Sequence, residues 1–170
     1  GSIADIIEFR SKKEKLIKKI DSKLIKTDYG QLNLIIYSDI LSDNTHLALV
    51  KGEISKNDNI LVRVHEPLSI LDFIKNTHHS WSPLKALELL KNEKKGVIVF
   101  LNYSESKKKY ENIILDNPTY NSKEDLRNYG IGSQILVDIG VTKMKLMASP
   151  RKMPSMAGFG LQVTEFIENN

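Results

Sequence analysis

Apolar residues recur with two different periods along this 170-residue chain. Over residues 3–20 they lie three or four positions apart with lysines between them, which predicts one amphipathic helix. From residue 22 the period falls to two, in short runs rich in β-branched residues that predict strands. Turn-forming residues separate these runs, so we expect an antiparallel meander. The four runs are Lys23–Asp28, Gln31–Asp39, Thr45–Gly52 and Asn59–His65.

The second half of the chain alternates helical and strand-like patterns. A helix is predicted over Pro83–Asn92, with Ser82 as its N-cap and proline in its first turn. The continuous apolar run Gly96–Leu101 is typical of a strand buried on both faces. A second helix is predicted over Ser122–Gly140, followed by strands at Lys143–Met147 and Leu161–Ile167. A meander followed by a mixed α and β portion predicts an α+β domain.

Composition narrows the functional classes. The chain is 41% hydrophobic and 27% charged, as is usual for one globular domain, and no apolar run approaches the roughly 18 residues of a membrane helix. We therefore expect a cytoplasmic protein. The chain contains no cysteine, which excludes disulfides, cysteine–zinc sites, iron–sulfur clusters and thiol nucleophiles within it.

The charge balance is basic, with a net charge of +4 and a pI near 9.1. The lysines stand in polar runs with few aromatic residues between them, and such runs are more typical of a solvated face than of a phosphate track. A nucleic-acid-binding module is therefore the least favoured hypothesis. The same charge would equally suit an anionic small molecule.

One stretch points to a known family. Asp125–Leu136, which reads Asp-Leu-Arg-Asn-Tyr-Gly-Ile-Gly-Ser-Gln-Ile-Leu, resembles the signature of GTP cyclohydrolase II, the zinc enzyme that opens the guanine ring at the start of riboflavin synthesis. Further blocks resemble that family in the same order, over roughly residues 22–167. The resemblance implies a GTP cyclohydrolase II-like fold and a homodimer. The further blocks are His46–Gly52, Leu61–His65, Asp138–Val141, Ser149–Lys152 and Gly158–Leu161.

The first helix adds a second resemblance. Ile3–Arg10 is similar to the segment that ends the dihydroxybutanone phosphate synthase domain in fused riboflavin enzymes. We therefore expect residues 1–21 to be a linker helix and residues 22–170 to be the cyclohydrolase-like domain. The resemblance implies a synthase domain of the same polypeptide as partner, and magnesium as the cofactor of that domain.

The zinc ligands of the family are missing. Counting forward from His65, the three positions at which the family carries cysteine fall on Leu68, His79 and Trp81. Leucine and indole carbons cannot hold a zinc ion. His65, His78 and His79 are the histidines available as a substitute set, but adjacent histidines point in different directions. The sequence therefore predicts no metal and no cofactor in this domain.

Two further motifs of the family are altered. No glycine occurs between Gly96 and Gly130, so the glycine-rich cradle that the family uses for the triphosphate cannot form in the same way. The family's nucleotide-contacting Thr-Asn-Asn-Pro-x-Lys reads Met-Ala-Ser-Pro-Arg-Lys at residues 147–152. Both changes predict weak nucleotide binding or none.

Some family residues survive. Asp125 and Arg127 match the pair that acts in the family as general base and as nucleophile toward the α-phosphorus, and we name them as candidate catalytic residues. An aspartate in a first helical turn also favours the helix dipole, and Arg127 could form an ordinary ion pair, so present use and vestige both stay open. Arg63, His65 and Lys152 are the candidate ligand-binding residues by the same resemblance.

Our leading hypothesis is a degenerate cyclohydrolase-like domain of a riboflavin biosynthesis fusion protein. It would lack cyclohydrolase activity and serve the synthase domain as a structural, dimerising or regulatory partner. The alternative is a divergent GTP-binding cyclohydrolase or pyrophosphohydrolase that uses Asp125 and Arg127.

Overall fold

The computed structural model describes residues 1–67, 69–74, 81–103, 110–111, 114, 123–150 and 156–169. The elements with complete bounds in these ranges are four α-helices, one 3-10 helix at Ala157–Phe159 and seven strands. The helices are α1 (Ile3–Lys13), α2 (Ser69–Phe73), α3 (Pro83–Lys91) and α4 (Lys123–Ile139). The strands are β1 (Ile17–Thr27), β2 (Gly30–Asp39), β3 (Thr45–Lys51), β4 (Asn59–His65), β5 (Gly96–Phe100), β6 (Lys143–Met147) and β7 (Gln162–Ile167).

The strands form one mixed sheet in the order β1-β2-β3-β5-β4-β6-β7. Strands β1, β2 and β3 are an antiparallel meander, and β5 is antiparallel to β3. Strand β4 runs parallel to both β5 and β6, and β7 runs parallel to β6. The predicted α+β class agrees with this mixture of an antiparallel half and a parallel half.

The fourth strand corrects the predicted meander. Asn59–His65 does not pair with β3, because β5 lies between the two strands. Five of its seven residues are buried, as expected for a central strand with both faces covered. Its apolar run agrees with burial on both faces, but the turn-forming residues 56–58 favoured a fourth strand of the meander.

The first helix is shorter than predicted. It ends at Lys13, and β1 begins at Ile17, within the stretch assigned to the helix. Leu16 and Ile17 are buried in the sheet core rather than along a helical face. The Lys-rich sequence 12–20 fits either period, so the pairing of β1 with β2 decides between them. The predicted linker boundary at residue 21 therefore falls inside a strand.

Two cores cover the two faces of the sheet. Helix α4 lies on one face, over a core that includes Ile35, Val62 and Val99, and α1 packs on α4 from outside. Helix α3 lies on the other face, over a smaller core that includes Leu61, Trp81 and Ile98. As predicted, Ser82 caps α3, with its hydroxyl accepting the Lys85 amide at 3.3 Å. No helix in the described ranges is long and apolar enough to span a bilayer.

Candidate functional site

The polar residues of interest gather at one edge of the sheet. The carboxyl ends of the parallel strands β4, β5, β6 and β7 meet there, and the antiparallel neighbours contribute the end of β2 and the start of β3. Open α/β sheets bind ligands at this edge, because the loops that leave the strands diverge there. The start of α4 closes it from one side.

Arg63, His65 and Asp72 form a hydrogen-bonded chain on the α3 face of this edge. One terminal nitrogen of Arg63 donates to the Met147 carbonyl at 2.9 Å, and the other donates to the Trp81 carbonyl at 3.2 Å. The second nitrogen also lies 3.2 Å from His65 Nδ1. His65 Nε2 lies 2.9 Å from a carboxylate oxygen of Asp72 on α2.

The hydrogen bonds among Arg63, His65 and Asp72 fix the protonation of His65. Since Arg63 can only donate, Nδ1 of His65 accepts a hydrogen bond from it. The ring proton of the neutral His65 therefore resides on Nε2 and is donated to Asp72. Burial lowers the pKa of His65, the Asp72 carboxylate opposes this, and the Arg63 charge adds to the lowering. The ring is therefore neutral near pH 7 and links a cation to an anion.

Trp81 lies beside Arg63, at one of the positions where the family would carry a zinc-binding cysteine. Its side chain is 6% exposed and packs in the α3-face core with Leu61, Ile98 and Met147. The indole N–H donates to the carbonyl of Ile167 at 2.7 Å, at the end of β7. This position therefore anchors the core to the last strand.

Arg127 lies on the opposite face of the sheet, where α4 begins. Its two terminal nitrogens donate to the two carboxylate oxygens of Asp39 at 2.7 and 2.6 Å. The Asp39 side chain is fully buried and that of Arg127 is 28% exposed. Burial of Asp39 works to raise its pKa, but hydrogen bonds from Arg127 and from the Leu41 amide outweigh it and hold the pKa below its usual range.

His46 is a buried residue beside this ion pair that the sequence reasoning did not single out. Its Nδ1 accepts the amide of Asn102 at 3.1 Å, and its ring lies 4.9 Å from that of Tyr103. Nε2 has no hydrogen-bond partner in the described part of the chain. Burial and the Arg127 charge lower the pKa of His46, with Asp39 acting the other way. A histidine at a buried position of an alternating strand was the available signal.

The signature of α4 serves the packing of the helix on the sheet. A β-carbon added at Gly132 would lie 3.4 Å from Val64 and 3.7 Å from Leu101, which are ordinary contact distances, so this turn of α4 packs against the sheet core. The Asn128 amide donates to Glu66 at 3.2 Å, just after β4. At the far end, the hydroxyl of the buried Tyr37 donates to Asp138 at 2.7 Å.

The predicted site residues divide between the two faces of the sheet. Arg63 and His65 pair in register with Ile98 and Phe100, which belong to the α3-face core or pack against it. Arg127 reaches Asp39 on the α4 face. Asp125 lies in the first turn of α4, but its side chain is outside the described residues, as are the whole of Lys152, Leu68 and His79.

The residues present do not fit the zinc site that the family implies. Three thiolate ligands are required, and the chain has no cysteine. Trp81 fills its position with apolar contacts and an indole donor, neither of which can coordinate a metal. Among the residues that the structure describes, no three histidine, aspartate or glutamate side chains converge on a point that could hold a metal ion.

The described side chains of the candidate residues are held by other groups of the same polypeptide. The guanidinium groups of Arg63 and Arg127 are both bound by groups of this chain, and His65 is held neutral between two partners. A nucleophilic arginine would have to leave a buried carboxylate, which leaves an unpaired charge behind.

The seven-stranded mixed sheet and its helices define an α+β domain. The sequence profile of the GTP cyclohydrolase II family matches residues 18–168, and the chain belongs to that family. Two curated relatives illustrate its setting. The chain is 41% identical to a 3,4-dihydroxy-2-butanone 4-phosphate synthase of Neisseria meningitidis serogroup B, over 99% of this chain and 47% of that protein. It is 36% identical to the riboflavin biosynthesis protein RibBA of Aquifex aeolicus, over 96% of this chain and 45% of that protein.

A solved structure shares the fold. The crystal structure of RibBX, a two-domain 3,4-dihydroxy-2-butanone 4-phosphate synthase from A. baumannii, matches with a TM-score of 0.74 at 30% identity. The match covers 98% of this chain and 45% of that chain. The chain thus spans about half the length of the relatives that it matches.

Proposed function

We propose that this chain is the cyclohydrolase-like half of a riboflavin biosynthesis fusion protein and has no cyclohydrolase activity. In this proposal it acts as a structural, dimerising or regulatory partner of a dihydroxybutanone phosphate synthase domain. The relatives support the fusion, since two of them are named as that synthase and are about twice as long.

The observation that carries the loss of activity is the environment of Trp81. Zinc lowers the pKa of bound water and polarises the carbon under attack, and side chains replace neither effect easily. Here a position counted as a zinc ligand belongs to the hydrophobic core and is hydrogen-bonded to Ile167. The Arg127–Asp39 pair supports the same reading, because the candidate nucleophile already has a buried partner.

Metal and nucleotide binding test the loss of activity. We expect purified protein to contain no stoichiometric zinc by mass spectrometry of the metals, and calorimetry with GTP to show no heat of binding at micromolar protein. A cysteine-containing member of the family, handled identically, is the positive control. One zinc per chain would contradict the proposal, and a micromolar dissociation constant for GTP would favour a divergent enzyme that uses Asp125 and Arg127.

The partner role has a separate test. The two-domain protein is compared with a version that ends near Arg10, by synthase activity, thermal stability and oligomeric state. We expect the shortened protein to lose stability or to change its oligomeric state. Equal values for all three quantities would refute the partner role while leaving the absence of zinc untouched.

A further inference from the structure

Helix α1 is fixed to the domain at its carboxyl end. The side chain of Gln134 on α4 accepts the Leu16 amide at 2.8 Å and donates to the Glu14 carbonyl at 2.7 Å. The ammonium group of Lys12 lies 5.9 Å from the ring centre of Phe159. At the other end, Ser2 and Asp5 form a capping box. These contacts give α1 a defined orientation, which an isolated helix of this length would not keep.

The same helix carries three large apolar side chains that face away from the domain. Ile3, Ile6 and Phe9 are 60%, 55% and 63% exposed. Residues three apart lie on one side of a helix, so the three side chains form a single outer α1 stripe. Large apolar side chains aligned on a rigid helix mark a surface that a partner covers.

We infer that the outer α1 stripe is the surface on which the synthase domain of the longer chain docks. This inference rests on the proposed function. The match with the two-domain neighbour covers 98% of this chain but 45% of the neighbour. In that protein a second domain of similar size therefore accompanies the domain that resembles this chain. A domain tethered in the same polypeptide is present at high effective concentration, which favours it over an untethered partner.

Docking on α1 would couple the two domains directly. The helix is held on its inner side by α4, and a domain seated on its outer side would be joined to α4 through one rigid element. The domains would then unfold together, and the amides of α1 would be shielded from exchange only in the two-domain protein.

The test is hydrogen exchange of the two-domain protein and of the 170-residue chain, each with and without the double substitution Ile6→Glu and Phe9→Glu. Glutamate at these positions preserves the helix, because Arg10 and Lys13 follow four residues later. We expect α1 amides to exchange at least tenfold more slowly in the two-domain protein, and the double variant to abolish that difference. Leu41→Glu, at a position that is 73% exposed elsewhere, should leave it unchanged.

Other outcomes overturn the inference. Equal exchange of α1 in the two proteins, or a double variant that behaves as the parent does, would show that the stripe is not the docking surface. Sedimentation of the 170-residue chain as a dimer that the double variant dissociates would assign the stripe to a second copy. If shortening the protein near Arg10 impairs the synthase but the double variant does not, the partner role stands and only this inference fails.

Discussion

Arg127 and Asp39 join the first turns of α4 to the end of β2 through two parallel hydrogen bonds of 2.7 and 2.6 Å. The aspartate is the buried partner and the arginine keeps part of its surface in solvent. Asp39 also raises the pKa of Arg127 through these hydrogen bonds, so the pair is charged at all ordinary pH values. The two residues therefore contribute unequally to stability.

Removal of the Arg127 side chain should lower the free energy of unfolding more than removal of the Asp39 charge. We expect Arg127→Ala to lower the free energy of unfolding by about 3 kcal/mol, at the low end for breaking a buried pair, because Asp39 is left charged and buried. Asp39→Asn should cost less, since Arg127 can turn to solvent. Urea unfolding followed by circular dichroism measures both. Arg10→Ala, which breaks a surface pair with Glu14, should change stability by less than about 0.5 kcal/mol.

Stability should fall as the pH drops below neutrality because of the buried histidines. Burial lowers the pKa of His65 and of His46 in the folded state, whereas the unfolded chain binds protons with a pKa of about 6.5. The unfolded state then binds more protons, so stability is lost as the pH falls through about 6.5 toward the folded pKa. We expect unfolding free energies measured between pH 7.5 and 5 to show this slope.

A substitution separates the contribution of His65 from that of the other histidines. His65→Gln keeps an acceptor for Arg63 and a donor for Asp72 without a titrating ring. The slope between pH 7.5 and 5 should be shallower in this variant. An unchanged slope would show that His65 does not contribute. Asp39 cannot account for the slope, since its lowered pKa affects stability only below about pH 3.9.

Trp81 should behave as a core residue with one specific hydrogen bond. Trp81→Ala should lower the free energy of unfolding by about 3–5 kcal/mol, the usual cost of removing a buried aromatic side chain. Trp81→Phe keeps most of the volume and should cost about 1 kcal/mol, mainly for the lost bond to Ile167. Trp81→Cys should cost nearly as much as alanine and bind no zinc. Stoichiometric zinc in that variant would contradict our view of the position.

Gln134 should control the mobility of α1. Its side chain makes one hydrogen bond to each side of the α1–β1 junction, so Gln134→Ala removes both, with a net cost of about 2 kcal/mol. We expect faster hydrogen exchange of α1 in that variant. Gln134→Glu keeps the acceptor for Leu16 and loses the donor for Glu14, and it should give an intermediate rate. Unchanged exchange in Gln134→Ala would show that other contacts hold the helix.

Local patterns predicted most of the secondary structure. Two strands were predicted with the bounds that the structure has, Asn59–His65 and Lys143–Met147. In both, the alternating or continuous apolar pattern fits a strand and no other element. Two errors arose where local signals were silent. Over residues 12–20 the apolar residues Leu16, Ile17 and Ile20 stand among lysines at a spacing that suits helix and strand equally. The position of β4 beside β5 depends on contacts between distant segments, which no short pattern encodes.

The site was predictable in its residue types and not in its geometry. Family resemblance singled out Arg63, His65 and Arg127 as one set. In the structure Arg63 and His65 lie in one hydrogen-bonded series, while Arg127 binds Asp39 on the other face of the sheet. The sequence did not single out three of the polar residues at the site, because their role depends on the residue that each one contacts in the folded domain. These are Asp39, Asp72 and His46. Their signal was a charged or polar residue within or beside an otherwise apolar strand or short helix.

The division of polar residues between two faces bears on how such a domain changes over evolutionary time. Substitutions near Trp81 alter the α3 face, while the Arg127–Asp39 pair and Gly132 belong to the α4 face. The thickness of the sheet separates the two sets, so selection can relax on one and persist on the other. A lineage can therefore discard the ligands of its catalytic metal and keep the helix signature of its ancestor, as long as the helix still holds the sheet together.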